Sequence, residues 1–343
     1  MKKIKTLFFL VPLFLVFGCE NCKWLDDSSN PPEVFCDNGL LIMRSEGFPG
    51  SPTIFYLDSI FKPVTTPIFF DNIMSNSQNE TQFDQFTRPS NYDAYDAVNN
   101  QYYIEFPLQQ RLYKYDIDAQ TRQEIIVAGF YSAPVIDNGN LYVIAIDNFG
   151  YASDPANYTI ESINNTDGSL TTLATNSFPL QSYFNWESMS SVSDASGNIY
   201  FVSGSNLITY NTNTMTTQYI ELVPSFDFAT NNQIFYGLEM RNNGNLLAIR
   251  DRNTDQGDGL ELVEININNP AENPTIIFDF KANGIVLNSE FYSTTYDACD
   301  DTYYITSRSG ANTTDFFEID LSTATTKTEN FNFYLMGIES KNN

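Results

Sequence analysis

Carboxylates are the chemistry this chain has in supply. It holds 42 aspartates and glutamates against 17 lysines and arginines, and no histidine. Without imidazole there is no Ser-His-Asp or Cys-His catalysis and no histidine general base. Little is left for a zinc or copper enzyme. Oxygen-ligand calcium sites and paired carboxyl groups remain. Two groups of residues could do such work. The first lies in the run 251–261, where Asp251, Asn253 and Asp255 place oxygen ligands at every second position ahead of Glu261. Short side chains in that pattern can wrap one hard cation. Gln256 stands where a tight calcium loop wants glycine, so a solvated hairpin loop is the competing reading. Calcium is the one cofactor the sequence offers; the leading expectation is none. The second group is Tyr131, Trp186, Glu187, Tyr236, Glu239, Arg241, Glu290 and Tyr292. Aromatic planes beside carboxylates can hold a sugar or a cation. Glu187, Glu239 and Glu290 could supply the two facing acids that a glycosidase needs. In so acidic a chain such a trio also arises by chance, and tyrosines pack cores as readily as they bind ligands. No known catalytic constellation is matched, so no residue is assigned a catalytic role.

The elements that position these groups are set by a repeat. A polar turn, often with glycine, runs straight into an apolar and aromatic strand six times. The turns are Asp37-Asn38-Gly39, Asn99-Asn100, Asp137-Asn138-Gly139-Asn140, Ser196-Gly197-Asn198, Asn242-Asn243-Gly244-Asn245 and Asp300-Asp301. Asn-Gly and Asp-Gly between apolar runs are strong hairpin signals, because both central residues take positive φ. Each copy continues through a third strand, a second turn and a fourth strand, as in 111–127, 207–220 and 316–328. A further strand precedes each turn with a loose aromatic signature: Phe130-Tyr131, Phe235-Tyr236, Phe291-Tyr292 and Phe333-Tyr334. Four strands at a period of roughly 40 to 60 residues resemble the blade of a β-propeller. The last of these strands has no hairpin after it. It is expected to pair with the set that begins near Leu40, the way propellers join their chain ends and leave no open edge.

The fold class expected is therefore all-β: a β-propeller of six four-stranded blades, closed by the C-terminal strand. Seven blades are the main alternative, and a sandwich or solenoid the remaining one. Apolar residues at 42% and aromatics at 15% supply the core that such a domain needs. In a propeller the first strand of each blade lines the central channel, which gives the second residue group a place to act.

The chain begins with a different kind of signal. Lys2, Lys3 and Lys5 precede an apolar run at 7–17, and Gly18 closes it. This is the layout of an export signal, and a run of about 11 residues is too short for a spanning helix of about 20. Val16-Phe17-Gly18-Cys19 resembles the lipobox of bacterial lipoproteins. The resemblance implies cleavage before Cys19 and acyl chains, palmitate among them, on that cysteine; two or three chains anchor stably where one does not. An ordinary secretory signal with a chance cysteine is the alternative. Residues 1–18 are read as the signal peptide, 19–33 as a polar tether unable to bury enough surface to fold alone, and 34–343 as a single propeller domain.

Cys22, Cys36 and Cys299 then form an odd trio. Export permits a disulfide; Cys36 and Cys299 each stand just before a turn between strands, but spacing does not choose the pair. The formal charge of −25, which becomes more negative once three signal lysines are removed, makes nucleic acid an improbable partner. Cations and cationic surfaces are its electrostatic counterparts. An Asn-rich, His-free propeller behind a lipobox is similar to uncharacterised lipoproteins of the Bacteroidetes type. Asp58-Ser59-Ile60 matches the short O-glycosylation motif of that group. The function expected is a lipid-anchored binding or interaction module of the cell envelope. It would sit on the outer membrane, periplasmic or surface-exposed, with a glycan or envelope protein as partner. The alternative is a carboxylate- or calcium-dependent hydrolase of a carbohydrate or lactone.

Overall fold

The computed structural model describes residues 36, 39–46, 53–61, 70–80, 92–106, 110–129, 131–146, 157–177, 189–222, 233–251, 259–287, 293–310 and 313–342. The chain separates into Met1–Phe35, which lies outside the described residues, and Cys36–Asn343. Among the described residues every regular element is a strand. The first sheet holds β1 (Gly39–Glu46), β2 (Thr53–Phe61) and β3 (Phe70–Glu80), and the second β4 (Asp93–Asp96), β5 (Gln101–Phe106), β6 (Arg111–Asp116) and β7 (Thr121–Ile126). The third holds β8 (Tyr131–Asp137), β9 (Asn140–Ile146), β10 (Asn157–Ile163) and β11 (Leu170–Ser177). The fourth is β12 (Ser190–Ser193), β13 (Asn198–Ser203), β14 (Asn206–Asn211) and β15 (Thr216–Glu221). The fifth is β16 (Ile234–Met240), β17 (Leu246–Asp251), β18 (Leu260–Ile265) and β19 (Thr275–Asp279). The sixth is β20 (Thr294–Asp297), β21 (Thr302–Gly310), β22 (Thr313–Asp320) and β23 (Thr325–Phe331). β24 (Tyr334–Ser340) pairs antiparallel with β1, Leu40 opposite Ser340 and Ile42 opposite Ile338. Each sheet thus has four strands, and there is no seventh sheet among the described residues.

The turns explain the hairpins. In Asp137-Asn138-Gly139-Asn140 the two central residues have φ of 50° and 75°, the mirror-image turn that matches strand twist. Elsewhere an aspartate does the work. Asp96 Oδ1 accepts the N–H groups of Val98 and Asn99, and Asp297 Oδ1 those of Cys299 and Asp300. A short acceptor two and three residues back replaces a backbone turn bond.

Strand alternation then decides how the sheets meet. Successive side chains point to opposite faces, and both faces of each sheet are covered. Tyr102 packs with Leu41 and Met43 of the first sheet, whereas its neighbour Tyr103 packs with Leu141 and Val143 of the third. Buried clusters join the third sheet to the fourth, the fourth to the fifth and the fifth to the sixth. The last joins Tyr304 and Phe316 of the sixth to Leu40 and Ile42 of the first. Six sheets joined face to face in cyclic order form a propeller ring. Its inner wall is the first strand of each blade: β4, β8, β12, β16, β20 and β24. A disulfide links Cys36 to Cys299, in the β20–β21 turn, and decides the pairing that spacing left open.

Candidate functional site: the channel cavity

The inner strands run side by side and end together at the hairpin turns, which define one face of the ring. A cavity of about 190 Å³ lies in the channel at this end. Its mouth is formed by turn residues, among them Ala97, Val98, Asn138, Gly139 and Ala195. Asp93 and Asp96 of β4, Glu239 of β16 and Glu339 of β24 bring four carboxyl groups to the lining, together with Ser191 of β12. Among the described residues no lysine or arginine lines it.

Local backbone irregularity aims two of these acids. The β16–β17 register shifts between Tyr236 and Glu239, and Gly237 has φ of 64°. A bulge of this kind re-aims the next side chain. β24 carries the matching sequence, Gly337-Ile338-Glu339 against Gly237-Leu238-Glu239, and its register with β1 also shifts, beside Gly337. Neighbouring blades clamp both segments. Tyr303 donates to Gly237 O at 2.6 Å. The amides of Leu238 and Ile338 donate to Ser190 Oγ at 3.1 Å and Ser293 Oγ at 2.9 Å. Both glycines are required by close approach. A Cβ at Gly237 would meet the Tyr303 hydroxyl at 2.6 Å, and one at Gly337 would collide with the Tyr102 hydroxyl and Asp93.

Asp93 accepts from the Tyr102 hydroxyl at 2.7 Å and from Ser293 at 3.4 Å. Burial nevertheless pushes its carboxyl up to about 7 against these bonds. Glu239 accepts from Thr294 Oγ1 at 3.2 Å. Glu339 is held well above the usual carboxyl range by burial, then by the charges of Asp93 and Glu239. The cavity is thus lined by four acids, and burial holds two of them, Asp93 and Glu339, above the ordinary carboxyl range.

The residues singled out from the sequence separate into three sets. Glu239 lines the cavity. Tyr131 and Tyr236 are buried between blades; the Tyr131 hydroxyl donates to Ala128 O at 2.5 Å. Arg241 ties the fifth sheet to the sixth through Glu264 at 2.5 Å and Asp301 at 2.8 Å. Trp186, Glu187, Glu290 and Tyr292 lie outside the described residues, as does Cys19. Of the cation-loop residues, Asp251 ends β17, and Glu261 is buried against Arg250, which donates to it from Nε at 2.9 Å and Nη2 at 2.5 Å. Asn253 and Asp255 lie outside the described residues. Ser59 sits in β2 between fully buried Asp58 and Ile60, so its hydroxyl is out of reach of a glycosylating enzyme once the chain is folded. Asp93 and Glu339 were not picked out from sequence. The duplicated Gly-(Leu/Ile)-Glu was the signal for Glu339. A recurring ten-residue stretch, 95–104 and 296–305, identical at six positions, marks the tyrosines that clamp the glycines.

No known family pattern matches the chain, and no curated protein matches it in sequence. Solved structures match it in shape. A chain in the crystal structure of a nidogen/laminin complex superposes with a TM-score of 0.54 at 11% identity, covering 88% of this chain and 97% of that one. A luciferin-regenerating enzyme gives 0.49 at 10%, covering 72% and 78%. A protein of unknown function from Bacteroides thetaiotaomicron gives 0.48 at 12%, covering 86% and 80%. At these identities the likeness concerns the fold alone, and the chain is an all-β propeller of six four-stranded blades.

Proposed function

We propose that this chain is a lipid-anchored envelope protein whose propeller binds a small, positively charged ligand in its channel. One observation carries the reading: Asp93, Glu239 and Glu339 share a cavity that no basic side chain among the described residues lines. Burying carboxylates together is costly unless a cation or a proton compensates. An organic ammonium group can span acids spread around a wall, whereas a bare calcium ion wants six or more oxygens at one point. Among the described residues no three acids converge in that way. The lipobox-like Val16-Phe17-Gly18-Cys19 supports the anchor, and the β24–β1 pairing is read as the seam that closes the ring. The test is thermal unfolding of the propeller with ethanolamine, putrescine, calcium or a neutral sugar. The amines are expected to raise the midpoint, and Glu339→Gln to abolish the rise. An equal response to the neutral sugar, or no response to amines, contradicts the proposal.

A second reading, a carboxylate-dependent hydrolase of a carbohydrate or lactone, has one observation in its favour. Asp93, with its carboxyl pushed up to about 7 by burial, shares the cavity with Glu339, which burial also holds above the ordinary range, and a carboxyl group that keeps its proton near neutrality suits general acid work. It predicts turnover with a pH profile that Asp93→Asn abolishes.

A further inference from the structure

The inner strands are of two kinds, and they alternate. β8, β16 and β24 have seven residues each and a register shift: between Ser132 and Val135, between Tyr236 and Glu239, and beside Gly337. β4, β12 and β20 have four residues each. Each shifted strand has a short neighbour whose polar side chain sits against the shift. Thr294 of β20 donates to Glu239 Oε1 at 3.2 Å, Asp93 of β4 crowds Gly337, and Ser191 of β12 donates to Ala133 O at 2.9 Å. Two of these three places are alike: a tyrosine hydroxyl presses on a glycine, and a glutamate follows two residues later. The third differs. There Ile199 packs with Ala133. Isoleucine has no hydroxyl, so a Cβ is accommodated even at a φ of 55°, and Val135 stands in the place of Glu239 and Glu339. The lining of the channel is divided accordingly. Asp93, Glu239 and Glu339 come from β4, β16 and β24, whereas β8 and β12 contribute Pro134, Val135, Ile136 and Val192 and no acid. The serines beside them, Ser191 and Ser193, already donate to Ala133 O and Asp137.

We infer that the channel ligand is an amphiphilic monoamine, with its ammonium group among Asp93, Glu239 and Glu339 and its apolar body along β8 and β12. The inference rests on the cation-binding reading above and adds what the other end of the ligand must be. Among the described residues nothing donates to the Glu339 carboxyl. Buried polar groups are ordinarily hydrogen-bonded, so this acid is an acceptor that an ammonium head would satisfy. An apolar body gains by leaving water against Val135 and Val192. A second ammonium group in that place would lose its hydration with no carboxyl group beside it. The cavity, about 190 Å³, has room for a short-chain amine.

The test sets n-pentylamine against putrescine, chains of equal length that end on a methyl or on a second ammonium group. Each is titrated calorimetrically into the full-length protein at about 0.15 M salt, where charges more than about 8 Å apart are largely screened. n-Pentylamine is expected to bind several-fold more tightly. Val135→Glu, which puts a third glutamate in the equivalent place, should reverse the preference. Val135→Thr keeps the shape and serves if the glutamate variant does not fold; it should weaken n-pentylamine several-fold and leave putrescine unchanged. Putrescine binding as tightly as n-pentylamine, or more tightly, overturns the inference and leaves the cation-binding reading standing. A preference for n-pentylamine that neither variant at Val135 alters places the apolar body elsewhere and also overturns it. n-Pentanol reads the underlying proposal separately. If it binds as well as n-pentylamine, or if neither amine binds, the cation-binding reading fails and the inference falls with it.

Discussion

Glu105 is a buried carboxyl group whose Oε2 has no hydrogen-bond partner among the described residues, and burial pushes its titration up to about 8. The unfolded chain loses this proton near the ordinary value of 4.5, so the folded state holds more protons across the interval between. Stability is then full below about 4.5 and falls as pH rises through 8. Glu105→Gln keeps the shape and removes the penalty. Urea midpoints measured from pH 5 to 9 should fall less steeply for this variant than for the wild type, with the gap widening up to about pH 8 and level beyond it; parallel curves would refute it. Gly337 makes the opposite point. Its missing Cβ leaves room for the Tyr102 hydroxyl and Asp93, so Gly337→Ala should destabilise by about 1–3 kcal/mol, the cost of overpacking. Tyr102→Phe in the same chain should recover part of that loss, which chemical denaturation of the single and double variants would reveal.

At the level of elements, the hairpins were legible because turn chemistry is local. Asn138-Gly139 demands positive φ wherever it stands, and the apolar strands that flank it follow. What places acids in the channel is less local. Glu239 was singled out because the Phe235-Tyr236 signature marks an inner strand. Asp93 was missed because β4 is four residues long and lacks that signature. Glu339 was missed because its strand was read only for the partner it needs. Even for Glu239, the side chain reaches the cavity through the shift after Tyr236, and a backbone irregularity leaves only a glycine in the sequence. Tyr131 and Tyr236 carry the residue type of a binding rim, yet alternation along their strands turns them between blades. The proposed seam has its own test. Deleting residues 334–343 strips β1 of β24, along with buried Leu335 and Ile338. The shortened chain should lose its single cooperative unfolding transition, and an unchanged melting curve would show that the seam is dispensable.

For the whole molecule, three kinds of link join the described sheets: burial between successive sheets, the β24–β1 ladder, and a covalent link over a sequence separation of 263 residues. A crosslink of that span restricts the unfolded chain strongly, and losing it should cost about 2–5 kcal/mol. Comparing urea midpoints with and without reductant would measure this. The same ring gathers acids from blades far apart in sequence, Asp93, Glu239 and Glu339, into one channel that no basic side chain among the described residues lines. That gathering is the central claim, and proton linkage tests it most directly. A cation in the cavity favours the ionised form of Asp93, which otherwise holds its proton to about 7. Titration calorimetry with putrescine at pH 7, in two buffers of different ionisation heat, should show proton release on binding. Affinity should rise from pH 6 to pH 8, and Asp93→Asn should diminish both the release and the rise, with Glu339, also held above the ordinary range, supplying what remains. Binding that is indifferent to pH and releases no proton, or that survives Asp93→Asn and Glu339→Gln together, would contradict the account.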